Sequence, residues 1–155
     1  MRNILIILIA LVVGGQVSLA QKGEKRVGLA TGFSRELGTG SPHFNISLAY
    51  NLTDRLGVVP SFDYYFHHFS QSKFGTWDVN ADIRYHILTE GLFKVYPFAG
   101  LTVKHSDGHS GLGANLGIGA DYEVTPGIDL FFNTKYQSTK DIDDTLMSIG
   151  ANYKF

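Results

Sequence analysis

The sequence predicts an all-β fold, an eight-stranded antiparallel up-and-down barrel that crosses a membrane. Three observations predict it. Eight segments alternate apolar and polar residues with the two-residue period of a β-strand. None of the eight apolar faces carries a charged residue. Short, turn-like connections take turns along the chain with longer polar ones.

The first segment sets Val27, Leu29, Thr31 and Phe33 against Gly28, Ala30 and Gly32. In the second, Phe44, Ile46, Leu48, Tyr50 and Leu52 alternate with His43, Asn45, Ser47, Ala49 and Asn51. The third places Leu56, Val58, Pro60, Phe62, Tyr64 and Phe66 on one face, opposite Arg55, Gly57, Ser61 and Asp63. The fourth is the cleanest. Trp77, Val79, Ala81, Ile83, Tyr85 and Ile87 interleave with Thr76, Asp78, Asn80, Asp82, Arg84 and His86. Phe93 to Val103, Leu112 to Val124, Ile128 to Tyr136 and Met147 to Phe155 continue the pattern at every second residue.

Three connections are short: Thr53-Asp54, Thr89-Glu90-Gly91 and Thr125-Pro126-Gly127. Four are longer: Ser34 to Pro42, His67 to Lys73, Ser106 to Ser110, and Ser138 to Asp144. In bacterial transmembrane barrels the short turns are periplasmic and the longer loops extracellular. An even strand number then brings both chain ends to the periplasmic side.

The segment before the first strand has a different character. Met1-Arg2-Asn3 precedes an apolar run from Ile4 to Val13, and a small-residue exit follows at Ser18-Leu19-Ala20. That order is the layout of a secretory signal peptide. The run is ten residues long, and a membrane-spanning helix needs about twenty. Residues 1–20 are therefore expected to be cleaved, leaving 21–155 as one barrel domain. Without Arg2 the chain keeps 12 basic residues against 14 acidic ones, which argues against nucleic acid as a partner. An exported domain of this size often relies on disulfides, yet there are no cysteines. A closed hydrogen-bonded barrel in lipid supplies the stability instead.

Side-chain volume decides which face meets lipid. An eight-stranded barrel has room inside only for side chains or one small ligand. Trp77, Phe62, Tyr64, Phe66, Phe132, Tyr136 and Tyr153 would overfill it, whereas Gly28, Gly32, Gly57, Gly100, Gly113, Gly117, Gly119 and Gly150 would not. The apolar face is expected to point outward. Two aromatic girdles follow: Tyr50, Tyr85, Tyr122, Tyr153 and Phe155 at the turn end, and Phe33, Phe44, Phe66 and Tyr136 at the loop end. Such rings suit the headgroup level.

Three stretches carry a family likeness: Tyr50-Asn51-Leu52-Thr53, Tyr96-Pro97-Phe98-Ala99-Gly100, and the closing Ile149-Gly150-Ala151-Asn152-Tyr153-Lys154-Phe155. Through them the chain resembles the small outer-membrane barrels of the OmpA/OmpX type, over essentially its whole length after residue 20. The resemblance implies a monomer in the outer membrane among lipids and lipopolysaccharide. It also implies that Tyr153 and Phe155 act as an assembly signal for the barrel-insertion machinery, with periplasmic chaperones on the way. It implies no cofactor. A fold shared by many functions implies little about activity.

The inward face is expected to carry Arg26, Arg55, Arg84, Lys94, Lys104, Lys135 and Lys154 against Asp63, Asp78, Asp82, Asp121, Glu123 and Asp129. Charges withdrawn from water must pair, so the lumen is expected to be a salt-bridged plug rather than an open path. His43, His67, His68, His105 and His109 gather at the loop end, but without the spacing of a structural zinc site. Rim histidines in solvent are the expectation, and no metal. His68-Phe69-Ser70 and His105-Ser106 raise hydrolysis of lipid A, although no carboxylate stands behind either pair to orient a base. Asp141, Asp143 and Asp144 lack the graded spacing of a calcium loop and are expected in a solvated loop. The resulting expectation is a non-enzymatic barrel that supports the envelope or surface interaction through its loops. A lipid A-modifying enzyme and a narrow pore are the alternatives.

Overall fold

The computed structural model describes residues 22–36, 39–66, 75–106, 108–140 and 143–155. The signal segment expected over residues 1–20 and the loop His67 to Lys73 lie outside them. The chain runs as β1 (Lys25–Glu36), β2 (Thr39–Asn51), β3 (Leu56–Tyr65), β4 (Thr76–Tyr85), β5 (Leu88–Glu90), β6 (Phe93–Ser106), β7 (His109–Thr125), β8 (Ile128–Thr139) and β9 (Asp143–Lys154). Each strand pairs antiparallel with its neighbours, and the ends meet because β1 pairs with β9 and β4 with β6. The sheet is therefore closed, and no open edge is offered to lipid.

β4 and β5 are two parts of one stave, since both pair with β6. The barrel thus has eight staves. The break between them has a cause in the sequence. Register runs to Arg84↔Phe98 and resumes at Leu88↔Val95, so three residues on one side face two on the other. Pro97 stands in that gap and has no N–H for the ladder, which is where prolines and bulges belong in a sheet. His86, just before the slip, keeps the inward parity of Arg84 at 2% exposed, and its amide donates to the Arg55 carbonyl at 2.8 Å. Beyond the slip the parity changes, and Thr89 is the residue turned inward.

The strand faces divide as the alternation predicts. Leu29, Leu48, Ile83, Leu101, Leu112, Leu116, Phe132 and Ile149 are all exposed, Ile149 by 62%. Arg26, Asp63, Asp78, Asn80 and Asp121 are all buried. The apolar surface points out and the polar core points in, which is stable only in lipid.

The inner face is less uniformly small than the glycines suggest. Tyr65, Tyr96, Phe98, Phe131 and Leu146 are buried inside. They fit because large rings stand directly opposite glycines: Tyr96↔Gly119, Phe98↔Gly117 and Phe131↔Gly150. A Cβ on Gly117 would lie 2.4 Å from Phe98 Cζ, and one on Gly119 2.6 Å from the Tyr96 ring.

The connections depart from expectation. Pairing continues to Glu36↔Thr39, Ser106↔His109 and Ser138↔Asp143, so three of the four expected long loops are largely strand. The residues there are polar on both faces, and a ladder needs backbone, not apolar side chains, to continue past the lipid. The turn expected at Thr89-Glu90-Gly91 falls at Gly91-Leu92, with Glu90 paired to Phe93 and Gly91 at φ +55°.

Candidate functional site: the charged lumen

Two hydrogen-bonded networks fill the barrel, one toward the turns and one toward the loops. The turn-side network centres on Arg26 of β1. Its Nη1 donates to Asp121 at 2.8 Å and lies 3.2 Å from Asp129, while Nε donates to Glu24. Lys154 binds Asp129 at 2.8 Å and also Glu123. Tyr96 donates its hydroxyl to Asp121 at 2.8 Å. Arg84 donates to Asn51 Oδ1 at 3.2 Å and places its guanidinium 5.4 Å from the Tyr96 ring centre. Strands β1, β4, β6, β7, β8 and β9 are thereby tied through the interior.

The loop-side network is built on carboxylates. Asp63 and Asp78 face each other across β3 and β4. Asn80 Nδ2 bridges them at 2.9 and 2.6 Å. Asp63 also accepts from Asn45 at 2.8 Å and from Lys135 at 3.2 Å. Asp78 accepts from the Tyr65 hydroxyl at 2.5 Å and from Gln137 at 3.3 Å. Asn115 joins Asp82 to Asn80 at 2.9 and 2.8 Å. Higher still, Asp144 accepts from Ser34 at 2.5 Å and from Lys104 at 3.2 Å.

Between the networks lies a cavity of about 60 Å³, walled in part by Asp63, Asp82, Arg84, Lys135, Phe98 and Phe131.

Most of the expected inward charges are where the alternation puts them: Arg26, Arg84, Lys94, Lys104, Lys135, Asp63, Asp78, Asp82, Asp121 and Asp129 are buried, with Lys154 and Glu123 half-buried. Arg55 is not. It sits exposed in the turn Leu52–Arg55, because the ladder ends at Asn51 and Thr53 Oγ1 takes the amides of Arg55 and Leu56 at 3.2 and 2.9 Å. Period-two reasoning fails where the backbone leaves the strand.

Two groups belong to the lumen that sequence reasoning placed in solvent. His43 is fully buried, its Nε2 3.0 Å from Ser148 and 3.8 Å from Asp63. Asp144 is 2% exposed, as described. Both share the parity of inward neighbours, Asn45 for His43 and Leu146 for Asp144, and that parity was the available signal. Glu24, just before β1, is a third addition through Arg26. With these changes six cations face eight carboxylates among the described residues, and the near balance expected becomes an acidic excess on the loop side. Neutral donors offset it: Tyr65, Asn80, Asn115 and Gln137 give Asp78 and Asp82 the hydrogen bonds that cations give elsewhere.

The catalytic and metal candidates separate. His105 faces outward, stacked on Trp77 with ring centres 5.1 Å apart, and its Nδ1 lies 2.9 Å from Ser110. Ser106 points the other way, 3.0 Å from Thr76. The expected His105-Ser106 pair is thus split across the strand. His67, His68-Phe69-Ser70 and Asp141 lie outside the described residues. Asp143 is exposed and accepts from Ser138 at 2.7 Å. Among the described residues no group of three His, Cys, Asp or Glu is placed to hold a metal ion.

The aromatic residues point outward as bands require. Phe33, Phe44, Phe66 and Tyr136 are exposed toward the loops, and Tyr50, Tyr85 and Tyr122 toward the turns. Tyr153 and Phe155 are 59% and 67% exposed on the last strand and its end, and the Phe155 amide donates to the Lys25 carbonyl at 3.1 Å.

Comparison with known proteins agrees with this geometry. The chain matches the family described as outer membrane protein beta-barrel domain over residues 6–155. Among solved structures it is similar to Neisserial surface protein A, with 21% identity and a TM-score of 0.69 over 85% of this chain and 96% of that one. The N-terminal beta-barrel domain of Pseudomonas aeruginosa OprF gives 20% identity and a TM-score of 0.70, covering 86% and 98%. Ail, the attachment invasion locus protein of Yersinia pestis, gives 21% and 0.59, covering 87% and 100%. No curated protein matches.

Proposed function

The chain belongs to the outer membrane protein beta-barrel domain family and resides in the outer membrane, and from that premise we propose that it is a sealed, non-enzymatic barrel serving envelope structure or surface interaction. The observation that carries this reading is the lumen. Buried charges must be paired and hydrogen-bonded, and here ionic networks cross the interior at two levels. Eight-stranded barrels have no aqueous channel to spare once side chains fill them.

The turn end faces the periplasm and the loop end the outside, following the usual asymmetry of such barrels. The chain is exported through residues 1–20 and works as a monomer. Lipid and lipopolysaccharide surround the apolar wall and its aromatic bands. Tyr153 and Phe155, exposed at the chain end, present the assembly signal to the insertion machinery after chaperone escort through the periplasm. Surface interaction falls to the loop end. Among similar folds are proteins named for the cell surface and for attachment and invasion, which supports that assignment.

Planar-bilayer recordings of the purified protein test the seal: silent bilayers are expected, and steady single-channel conductance would overturn it. Lipid A mass spectra from cells with and without the protein test the absence of enzymatic activity. Identical acylation patterns are expected; a lost or added acyl chain would establish the enzyme instead.

A further inference from the structure

The loop-side network is short of positive charge. Asp63, Asp78, Asp82 and Asp144 are all buried there. The lysines among them are already engaged, Lys135 with Asp63 and Lys104 with Asp144. Asp82 borders the cavity that Arg84 and Lys135 also line. Asp78 is placed otherwise. It is fully buried, and among the described residues no lysine or arginine forms an ion pair with it. Lys104 is its register partner across β4 and β6, but Lys104 turns its ammonium to Asp144 and over the Tyr65 ring.

Asp78 also faces a second carboxylate. Asp63 stands opposite it in the β3–β4 ladder. One nitrogen, Asn80 Nδ2, lies 2.6 Å from Asp78 and 2.9 Å from Asp63, so the two carboxyl groups are held side by side. Like charges that close resist being ionised together. Their partners divide unequally. Asp63 accepts from Lys135, Asn45 and Asn80, whereas Asp78 accepts from neutral groups, Asn80, Tyr65 and Gln137. Beside Asp78 there are also oxygens in want of a donor. Gln137 is fully buried and Asn115 is 4% exposed, and Gln137 Oε1 and Asn115 Oδ1 have no hydrogen-bond partner. A buried acceptor left alone is costly.

From this geometry we infer that Asp63 and Asp78 form an acid–carboxylate pair that binds one proton at mildly acidic pH, with Asp78 as the acid. An exposed aspartate has released its proton under those conditions. The proton removes one of two facing charges and adds the donor that the cluster lacks. A half-turn of the Gln137 amide, whose nitrogen stands 3.3 Å from Asp78, presents Oε1 to the new O–H. The charges that face the pair are His43 from β2, Lys104 from β6, Lys135 from β8 and Asp144 from β9, with Asp82 on β4 itself. His43, 3.8 Å from Asp63, is the rival seat for the proton. A folded barrel holding a proton that the unfolded chain gives up loses stability as pH rises. The loop half of the barrel is thus a device that tightens in acid.

The test is infrared difference spectroscopy of the full mature chain in vesicles of ether-linked phosphatidylcholine, which has no ester carbonyl to mask a protonated carboxyl. A protonated-carboxyl band is expected at mildly acidic pH. It should vanish in Asp78→Asn and persist in Asp143→Asn, which alters only a rim acid. In Asp63→Asn, where the facing charge is gone, the band should disappear at a lower pH than in the unaltered protein. Heat-modifiable migration in detergent gels confirms that each variant is folded. Urea unfolding gives a second readout. The folding constant of the unaltered barrel should fall about tenfold or more from mildly acidic to alkaline pH, the effect of one proton over one pH unit. That of Asp78→Asn should fall clearly less. No carboxyl band in the unaltered protein would overturn the inference, as would a band that survives Asp78→Asn, because the proton then sits on His43 or elsewhere. An unshifted band in Asp63→Asn would overturn the pairing, and equal pH dependence with and without Asp78 would overturn the device.

Discussion

Arg26 on β1 and Asp121 on β7 stand 95 residues apart in the chain, yet their side chains meet at 2.8 Å across the barrel interior. Neither strand neighbours the other in the sheet, since β9 and β8 lie between them. The contact therefore links walls that the backbone ladder joins only indirectly.

That link predicts a large, non-additive cost when it is cut. In Arg26→Met, Glu24, Asp121 and Asp129 lose their shared cation, leaving carboxylates buried together. Removing one partner of a buried pair typically costs about 3–5 kcal/mol. Denaturant unfolding in lipid vesicles is expected to show a loss of that order. The double variant Arg26→Met/Asp121→Asn should lose less than the two single changes summed, because it removes a carboxylate the first change stranded. Additive losses would mean the two residues do not share one network.

The lipid face predicts the opposite sensitivity. Ile149 is 62% exposed and lies four residues from Tyr153, whose ring is exposed toward the turns. It lies equally far from Thr145, which pairs with Tyr136, whose ring is exposed toward the loops. It is thus near the bilayer midplane, where an arginine on the lipid face costs about 2–4 kcal/mol. Ile149→Arg is expected to destabilise the barrel by that amount in vesicles, whereas Ile149→Leu should be close to neutral. A negligible effect of the arginine would place Ile149 away from the hydrocarbon.

How much of this was legible in the sequence depended on what each face must tolerate. The outward face was readable in two steps: hydrocarbon rejects any charge, which the pattern of Leu29, Ile46, Ile83 and Leu116 obeys, and ring volume, as at Trp77 and Phe132, decided that this face points out and not in. The inward face was readable for charge and unreadable for shape. Tyr96 and Phe98 follow the inward parity but look like ordinary strand residues until Gly119 and Gly117 are known to stand opposite, a fact of register that one chain segment cannot reveal. Arg55 failed for a related reason: alternation assigns a face only while the backbone remains in the ladder, and that ends at Asn51. His43 and Asp144 were hidden by the idea that polar residues near a loop belong to the loop.

The ring-on-glycine fit predicts a steric effect on an otherwise small change. A Cβ at Gly117 would come within 2.4 Å of Phe98 Cζ and 2.5 Å of the Thr134 carbonyl. Gly117→Val is therefore expected to cost about 1–3 kcal/mol, the usual range for overpacking. Adding Phe98→Leu should recover part of the loss by freeing the ring's space, while the Thr134 contact keeps the rest. Full insensitivity to Gly117→Val would show that the lumen is looser than these distances require.

Asp143 and Asp144 supply the sharpest contrast, since adjacent acids of similar appearance are predicted to behave differently. Asp143 is exposed and accepts from Ser138 and from the Tyr136 hydroxyl at the rim. Asp144 is buried and shared by Ser34 of β1 and Lys104 of β6. Surface substitutions away from special features usually change stability by about 0.5 kcal/mol or less, so Asp143→Ala should be nearly silent. Asp144→Ala removes a carboxylate held by a buried cation and should cost about 3 kcal/mol or more. Asp144→Asn keeps the shape and one acceptor oxygen, so its loss should fall between the two. Unfolding midpoints of the three variants measure the order directly. Equal effects of the two alanine changes would return Asp144 to the solvated loop that its position in the sequence suggested.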